Sequence, residues 1–190
     1  MFCNQCEQAA NGVGCAISGV CGKKPDVAAL QDHLIHGLRS LALFADKLGR
    51  DKEIDRFTID ALFTTVTNVD FEPSRIAGMI SRCYELKEKA RAACQAKGIT
   101  LSGPLADWQP AKDQAGMVSQ AESYGLTALH MNDDIRSVME ILLFGLKGMA
   151  AYMDHALILG KEDDEVMAFF QRALAATADP KLGLMDFVAL

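Results

Sequence analysis

A ten-residue helical signature occurs twice in this chain, and no other feature limits the fold as strongly. Gly37-Leu38-Arg39-Ser40-Leu41-Ala42-Leu43-Phe44-Ala45-Asp46 aligns with Gly145-Leu146-Lys147-Gly148-Met149-Ala150-Ala151-Tyr152-Met153-Asp154 at an offset of 108. The match extends backward, with Val27 against Ile135, Leu30 against Val138 and Leu34 against Leu142. After a small insertion the offset becomes 112, pairing Phe57 with Phe169, Ala61-Leu62 with Ala173-Leu174, and Thr65 with Thr177. Helical periodicity could produce the apolar matches by itself, but not the Gly-Leu-basic triplet or the closing Asp. An internal duplication of helical units is therefore expected.

The rest of the pattern agrees with an all-α fold. Alternating polar and apolar runs are rare, and Ala, Leu, Met, Lys and Glu dominate. The spacing predicts a first helix from about Asp26 to Leu48, after Pro25 and before Gly49. A second is expected over Ile54 to about Thr67, and a third from Pro73 to about Lys97, stopped by Gly98. The stretch Ile99 to Pro110 reads as a loop, followed by a short helix between Ala111 and Tyr124. A strong helix capped by Asn132 or Asp133 should run to about Leu159, with Ile135, Val138, Leu142, Leu146, Met149 and Met153 as its core stripe. Another runs from about Glu162 to Thr177, broken by Asp179-Pro180.

These elements divide the chain into a cysteine-rich loop (1–25), a first three-helix bundle (26–98), a connecting segment (99–131) and a second three-helix bundle (132–190). The third helix of the second copy should begin near Leu182. It would reach only about two turns before Leu190, so the second bundle reads as truncated and the chain as a piece of a longer polypeptide.

Half of the residues are hydrophobic and 23% are charged, which suits a globular protein with a real core. The formal net charge of −6 argues against nucleic acid and against an anionic membrane surface as partners. Uninterrupted apolar runs such as Ile141 to Phe144 are too short to span a bilayer. The chain opens on polar residues and cysteines rather than on a signal peptide, and a cytoplasmic location is expected.

Four of the six cysteines lie in the first 21 residues. Cys3, Cys6, Cys15 and Cys21 form a C-x2-C-x8-C-x5-C pattern. Two cysteines separated by two residues can reach one metal centre, and the thiolate is the ligand. Gly12, Gly14, Gly19 and Gly22 let the chain turn tightly and bring backbone N–H groups to sulfur, which an iron–sulfur cluster needs. Structural zinc also takes four cysteines, although its sites often show two short knuckles rather than a second gap of five. A redox C-x-x-C would need a βαβ setting, and disulfides would need another compartment. On spacing alone, iron–sulfur and zinc both stay open.

Other candidates carry less. Cys83 and Cys94 share the apolar face of one helix and read as core residues. His33 and His36 stand one turn apart without an evident carboxylate to complete a site, so packing or exposure is the simpler reading. His130 and His155 stand alone. The acidic run Glu162-Asp163-Asp164-Glu165 suits a helix N-terminus.

The segments Met1-Phe2-Cys3-Asn4-Gln5-Cys6-Glu7-Gln8, Gly14-Cys15 and Gly19-Val20-Cys21-Gly22-Lys23 resemble the amino terminus of the hybrid cluster protein family, also called hydroxylamine reductase or prismane protein. Leu30-Gln31-Asp32-His33-Leu34-Ile35, Leu62-Phe63-Thr64-Thr65-Val66-Thr67-Asn68, Gly145-Leu146-Lys147-Gly148-Met149-Ala150-Ala151-Tyr152 and Ile158-Leu159-Gly160 resemble it too. The resemblance implies a 4Fe–4S cluster on Cys3, Cys6, Cys15 and Cys21, with 2Fe–2S the alternative found in members with a longer third gap. It implies a helical domain of two three-helix bundles that relays electrons. The donor would be a ferredoxin or an NADH-dependent reductase, and the acceptor a hybrid iron–sulfur–oxygen cluster in later domains of the same polypeptide. There hydroxylamine would be reduced to ammonia and water. The resemblance assigns no catalytic residue to this chain. The competing class is a non-enzymatic helical module with a zinc-binding or redox-sensing cysteine loop.

Overall fold

Six of the helices start where a side chain accepts from the free N–H groups of the first turn or where a proline removes one of them. The computed structural model describes residues 1–125 and 132–190. Among them are seven α-helices and no strand, so the chain is all-α. Helices α1 (Pro25–Leu48) and α3 (Pro73–Ala96) open on a proline, whose missing N–H is not needed there. In α2 (Lys52–Thr64) the Asp51 carboxylate accepts from the N–H groups of Glu53 and Ile54. Asp113, Asn132 and Asp163 cap α4 (Gln114–Gln120), α5 (Asp133–Ile158) and α6 (Asp164–Ala176) in the same way. A last short helix, α7, spans Leu184–Val188.

The largest departure from expectation is in α2, which starts before Ile54 and stops short of Thr67. Asp51 captures the earlier residues. At the other end Thr65 and Val66 bond three residues back, to Leu62 O and Phe63 O, and the tighter turn ends the helix.

Helix α1 lies at the centre, packed along α3 and α6, while α2 packs on α5. The first half thus packs largely on itself through α1 and α3, while α5 and α6 are covered mainly by α2 and α1. Exchanging α1 with α5 and α2 with α6 carries the α1–α6 contact onto the α5–α2 contact, the arrangement a duplication would produce. Polar bonds close the seam. Gln171 of α6 donates to Asp55 and Thr58 of α2 at 3.2 and 3.1 Å, and Arg50 joins Asp55 to Asp164 at 2.7 and 2.6 Å. Cys83 and Cys94 are fully buried in the core of α3.

The core stripe of α5 is rotated from the one expected. Met139, Leu143, Leu146, Ala150 and Met153 are buried, as is Lys147, whereas Met149 is 38% exposed. The apolar pattern of α5 runs around most of the helix, so periodicity alone does not choose the buried face. By length and composition α5 could also cross a membrane, with a mean hydropathy of 1.3, although its most apolar window is only 28% buried within this fold.

The two copies of the signature glycine have different surroundings. A Cβ on Gly37 would stand 2.7 Å from the Trp108 ring, whereas one on Gly145 would meet nothing within 4 Å. Gly37→Ala is expected to cost about 1–3 kcal/mol by overpacking. Gly145→Ala should be neutral or gain up to about 1 kcal/mol from helix propensity. Urea unfolding of the two variants checks the contrast; equal effects would show that the indole does not require the glycine.

Candidate metal centre and a buried charged cavity

Residues 1–22 form a loop folded back on itself. Cys3 and Cys15 exchange both backbone hydrogen bonds, Cys3 N–H to Cys15 O at 3.1 Å and Cys15 N–H to Cys3 O at 2.8 Å. A single 3-10 turn, Ala10–Gly12, carries the chain between Cys6 and Cys15. A second tight turn holds Cys21: Gly19 N–H bonds Lys23 O at 2.8 Å and Gly22 N–H bonds Gly19 O at 2.9 Å. Gly19 has no room for a side chain, since a Cβ there would lie 3.0 Å from the Cys21 sulfur.

All four cysteines of the loop are free thiols. Cys15 is buried, at 6% exposure. Backbone N–H groups of Val20 and Ala10 point at its sulfur and hold the thiol below its ordinary pKa, with a smaller pull from Lys23. Lys23 is itself only 2% exposed, and its ammonium sits 2.6 Å from Gln31 Oε1 and 3.9 Å from the Cys3 sulfur. The donor set is therefore four thiols, two backbone N–H groups aimed at one sulfur and a buried cation beside another. That chemistry fits an iron–sulfur cluster, whose sulfurs need hydrogen-bond donors and compensating charge. The sulfurs are not closed on one point: among the described residues no three His, Cys, Asp or Glu side chains stand close enough to hold a single metal ion.

Beneath the C-x-x-C turn lies a cavity of about 50 Å³, lined by Cys3, Gln5, Asp32, Arg39, Glu140 and Lys147 among others. Asn4 and Gln5, the residues between Cys3 and Cys6, both line this cavity beside α5. Lys147 donates to Gln5 Oε1 at 3.1 Å. Glu140 and Lys147 are seven residues apart, two turns along one face. Burial pushes the Asp32 carboxyl up to about 6, against the pull of Lys147 and Lys23. Burial also raises Glu140 and lowers Lys147 to about 8, with Asp32 opposing the latter change.

Arg39 and Lys147 entered the sequence pattern only as the basic residue of the repeated triplet, and none of the four charged residues was given a role in a site, although a signal was present. At the offset of 108, Asp32 pairs with Glu140 and Arg39 with Lys147. Both copies thus carry an acid and a base seven residues apart on an otherwise apolar helix.

The histidines of α1 are packing residues. His33 Nδ1–H donates to Met117 O at 2.9 Å, and His33 Nε2 accepts from Trp108 Nε1–H at 3.1 Å, which fixes the neutral ring. His36 stacks on Tyr124 at 3.8 Å, and burial drives its pKa down to about 3. His155 is exposed beside Phe63, and His130 lies outside the described residues.

The sequence model of the Prismane/CO dehydrogenase family matches residues 1–189. A hydroxylamine reductase of Geobacter sulfurreducens is 57% identical, over 100% of this chain and 37% of its own length. One from Methanocella arvoryzae is 46% identical over 100% of this chain and 36% of its own length, and one from Methanosarcina mazei is 38% identical over 100% and 35%. The chain thus spans little more than a third of the relatives it matches.

Proposed function

The chain belongs to the Prismane/CO dehydrogenase family, which implies iron–sulfur chemistry, and from that premise we propose that residues 1–22 hold a 4Fe–4S cluster on Cys3, Cys6, Cys15 and Cys21. Its role is electron relay within a longer hydroxylamine reductase that converts hydroxylamine to ammonia and water. The observation that carries the reading is the loop itself. Four free thiols lie on one folded-back segment, and two backbone N–H groups converge on the sulfur of Cys15.

When bound, the cluster supplies a one-electron store. The chain's own residues do the rest. The Cys3–Cys15 backbone pairing fixes two of the ligands against each other, and Gly19 lets the Cys21 sulfur approach. Lys23 places positive charge at Cys3, and Phe2 packs its ring where a side chain on Gly14 would otherwise lie. The cytoplasm, where thiols stay reduced, is the compartment proposed. The partners are the remaining domains of the longer polypeptide and an electron donor such as a ferredoxin or an NADH-dependent reductase.

Anaerobic purification should give about four irons and four sulfides per chain, with broad visible absorption. Zinc in place of iron would favour the non-enzymatic module instead. A cluster with four thiolates on four irons has no position open to substrate. The loaded 190-residue chain is therefore expected to take electrons from a reduced viologen and to give them back, without making ammonia from hydroxylamine. Sustained ammonia production above the rate with free iron would overturn the relay assignment.

A further inference from the structure

The repeated acid–base pairs have no role in the relay as described so far. Asp32 and Arg39 come from α1, Glu140 and Lys147 from α5, and all four line one small cavity against Cys3 and Gln5. Arg39 and Lys147 are 7% and 6% exposed. Asp32 and Glu140 beside them are half-buried. Burying the two cations is costly, and well-packed apolar residues would stabilise the same helices at least as well. Their charges therefore call for an explanation beyond stability.

The contacts point to one. Arg39 donates to Thr177 Oγ1 at 3.1 Å, which ties it to the end of α6. Lys147 instead reaches across to Gln5, inside the C-x-x-C turn. Glu140, two turns earlier on the same face of α5, lines the cavity together with Asn4. Lys147 and Cys3 line the same cavity.

Resting on the cluster reading above, we propose that Lys147 is a positioning residue for the Cys3-Asn4-Gln5-Cys6 turn. Its buried positive charge holds the reduction potential of the cysteine site up, in balance with Asp32 and Glu140. Reduction adds one electron, and hence one negative charge, to the four-thiolate site. A fixed cation attracts that added charge more strongly across a low-dielectric pocket than the same pair would attract in water. Four further groups set the field there: Lys23 from the loop, Asp32 and Arg39 from α1, and Glu140 from α5.

The test is an anaerobic redox titration of the loaded chain at pH 7. Dithionite supplies the electron, ferricyanide removes it, and the reduced cluster is followed by electron paramagnetic resonance. Lys147→Met is expected to keep its iron and sulfide and to shift the one-electron equilibrium about tenfold toward the oxidised form, about 59 mV lower. Lys147→Arg should restore the parent potential. Asp32→Asn, which removes a negative charge from the same cavity, should move the potential the other way. Lys89→Met, on an exposed lysine of α3, should leave it unchanged.

A fully loaded Lys147→Met chain with the parent potential would overturn the proposal. Should Lys147→Met lose its iron or its fold, Asp32→Asn decides, and an unchanged potential there overturns it equally. Failure of the parent chain to bind iron is a separate result, seen in the metal count before any titration. It would remove the cluster reading and this inference with it.

Discussion

Cys15→Ser is expected to strip the iron from the anaerobically purified chain, while Cys83→Ser and Cys94→Ser leave it in place. Cys15 sits at the middle of the loop, backbone-paired to Cys3, with two N–H groups directed at its sulfur. Those donors stabilise a thiolate. A serine hydroxyl stays protonated at neutral pH and is a poor ligand for iron. Cys83 is fully buried and desolvation drives its thiol well above the ordinary range, the opposite of a metal ligand. Cys94 lies equally deep and points its sulfur at Phe44 O, 3.6 Å away. Serine at either core position buries a hydroxyl and costs about 1–3 kcal/mol of stability without touching the loop. The measurement is iron per chain, alongside far-ultraviolet circular dichroism to show that each variant is folded. Iron retained in Cys15→Ser and lost in Cys83→Ser would reverse the ligand assignment.

His33→Leu should destabilise the fold by roughly 4 kcal/mol while leaving the metal content of the surviving folded chain unchanged. Leucine nearly fills the same volume, so the cost is polar. The ring of His33 joins Trp108 Nε1–H to Met117 O, and both partners are buried. Its loss orphans one donor and one acceptor, each worth about 1–3 kcal/mol once desolvated. Lys87 and Arg91 of α3 hold Ala106 O and Trp108 O from the other side, so the segment would be tethered at one edge only. Urea unfolding measures the change, and a loss under about 1 kcal/mol would show that water reaches Trp108 or Met117. Metal content that fell together with stability would mean that His33 supports the cysteine loop as well.

The cysteine spacing and the helical periodicity were legible because each is a local pattern. Pro25, Gly49, Pro73 and Gly98 mark helix ends by their own backbone preferences, and α1 and α3 run close to where those residues place them. The end of α2 was not legible, because Thr65 turns inward onto Leu62 O in competition with the next helical bond. The buried side of α5 was not legible either. Its apolar residues surround the helix, and the buried side was chosen by its neighbours: α2 packs along it, while Met139 is covered by Ala176 and Phe187.

The sequence by itself determined an all-α chain, a loop with four thiols and two copies of one helical signature, since these follow from residue type and spacing within single segments. Only the tertiary structure decided what the copies do. Gly37 admits Trp108 while Gly145 faces open space, and Arg39 ties down α6 while Lys147 reaches Gln5. Equivalent residues diverge because a side chain's role is set by what other elements bring to it. Asp32, Arg39, Glu140 and Lys147 lie up to 115 residues apart in the chain. They meet beside Cys3 only because α1 and α5 both pass beneath the same turn.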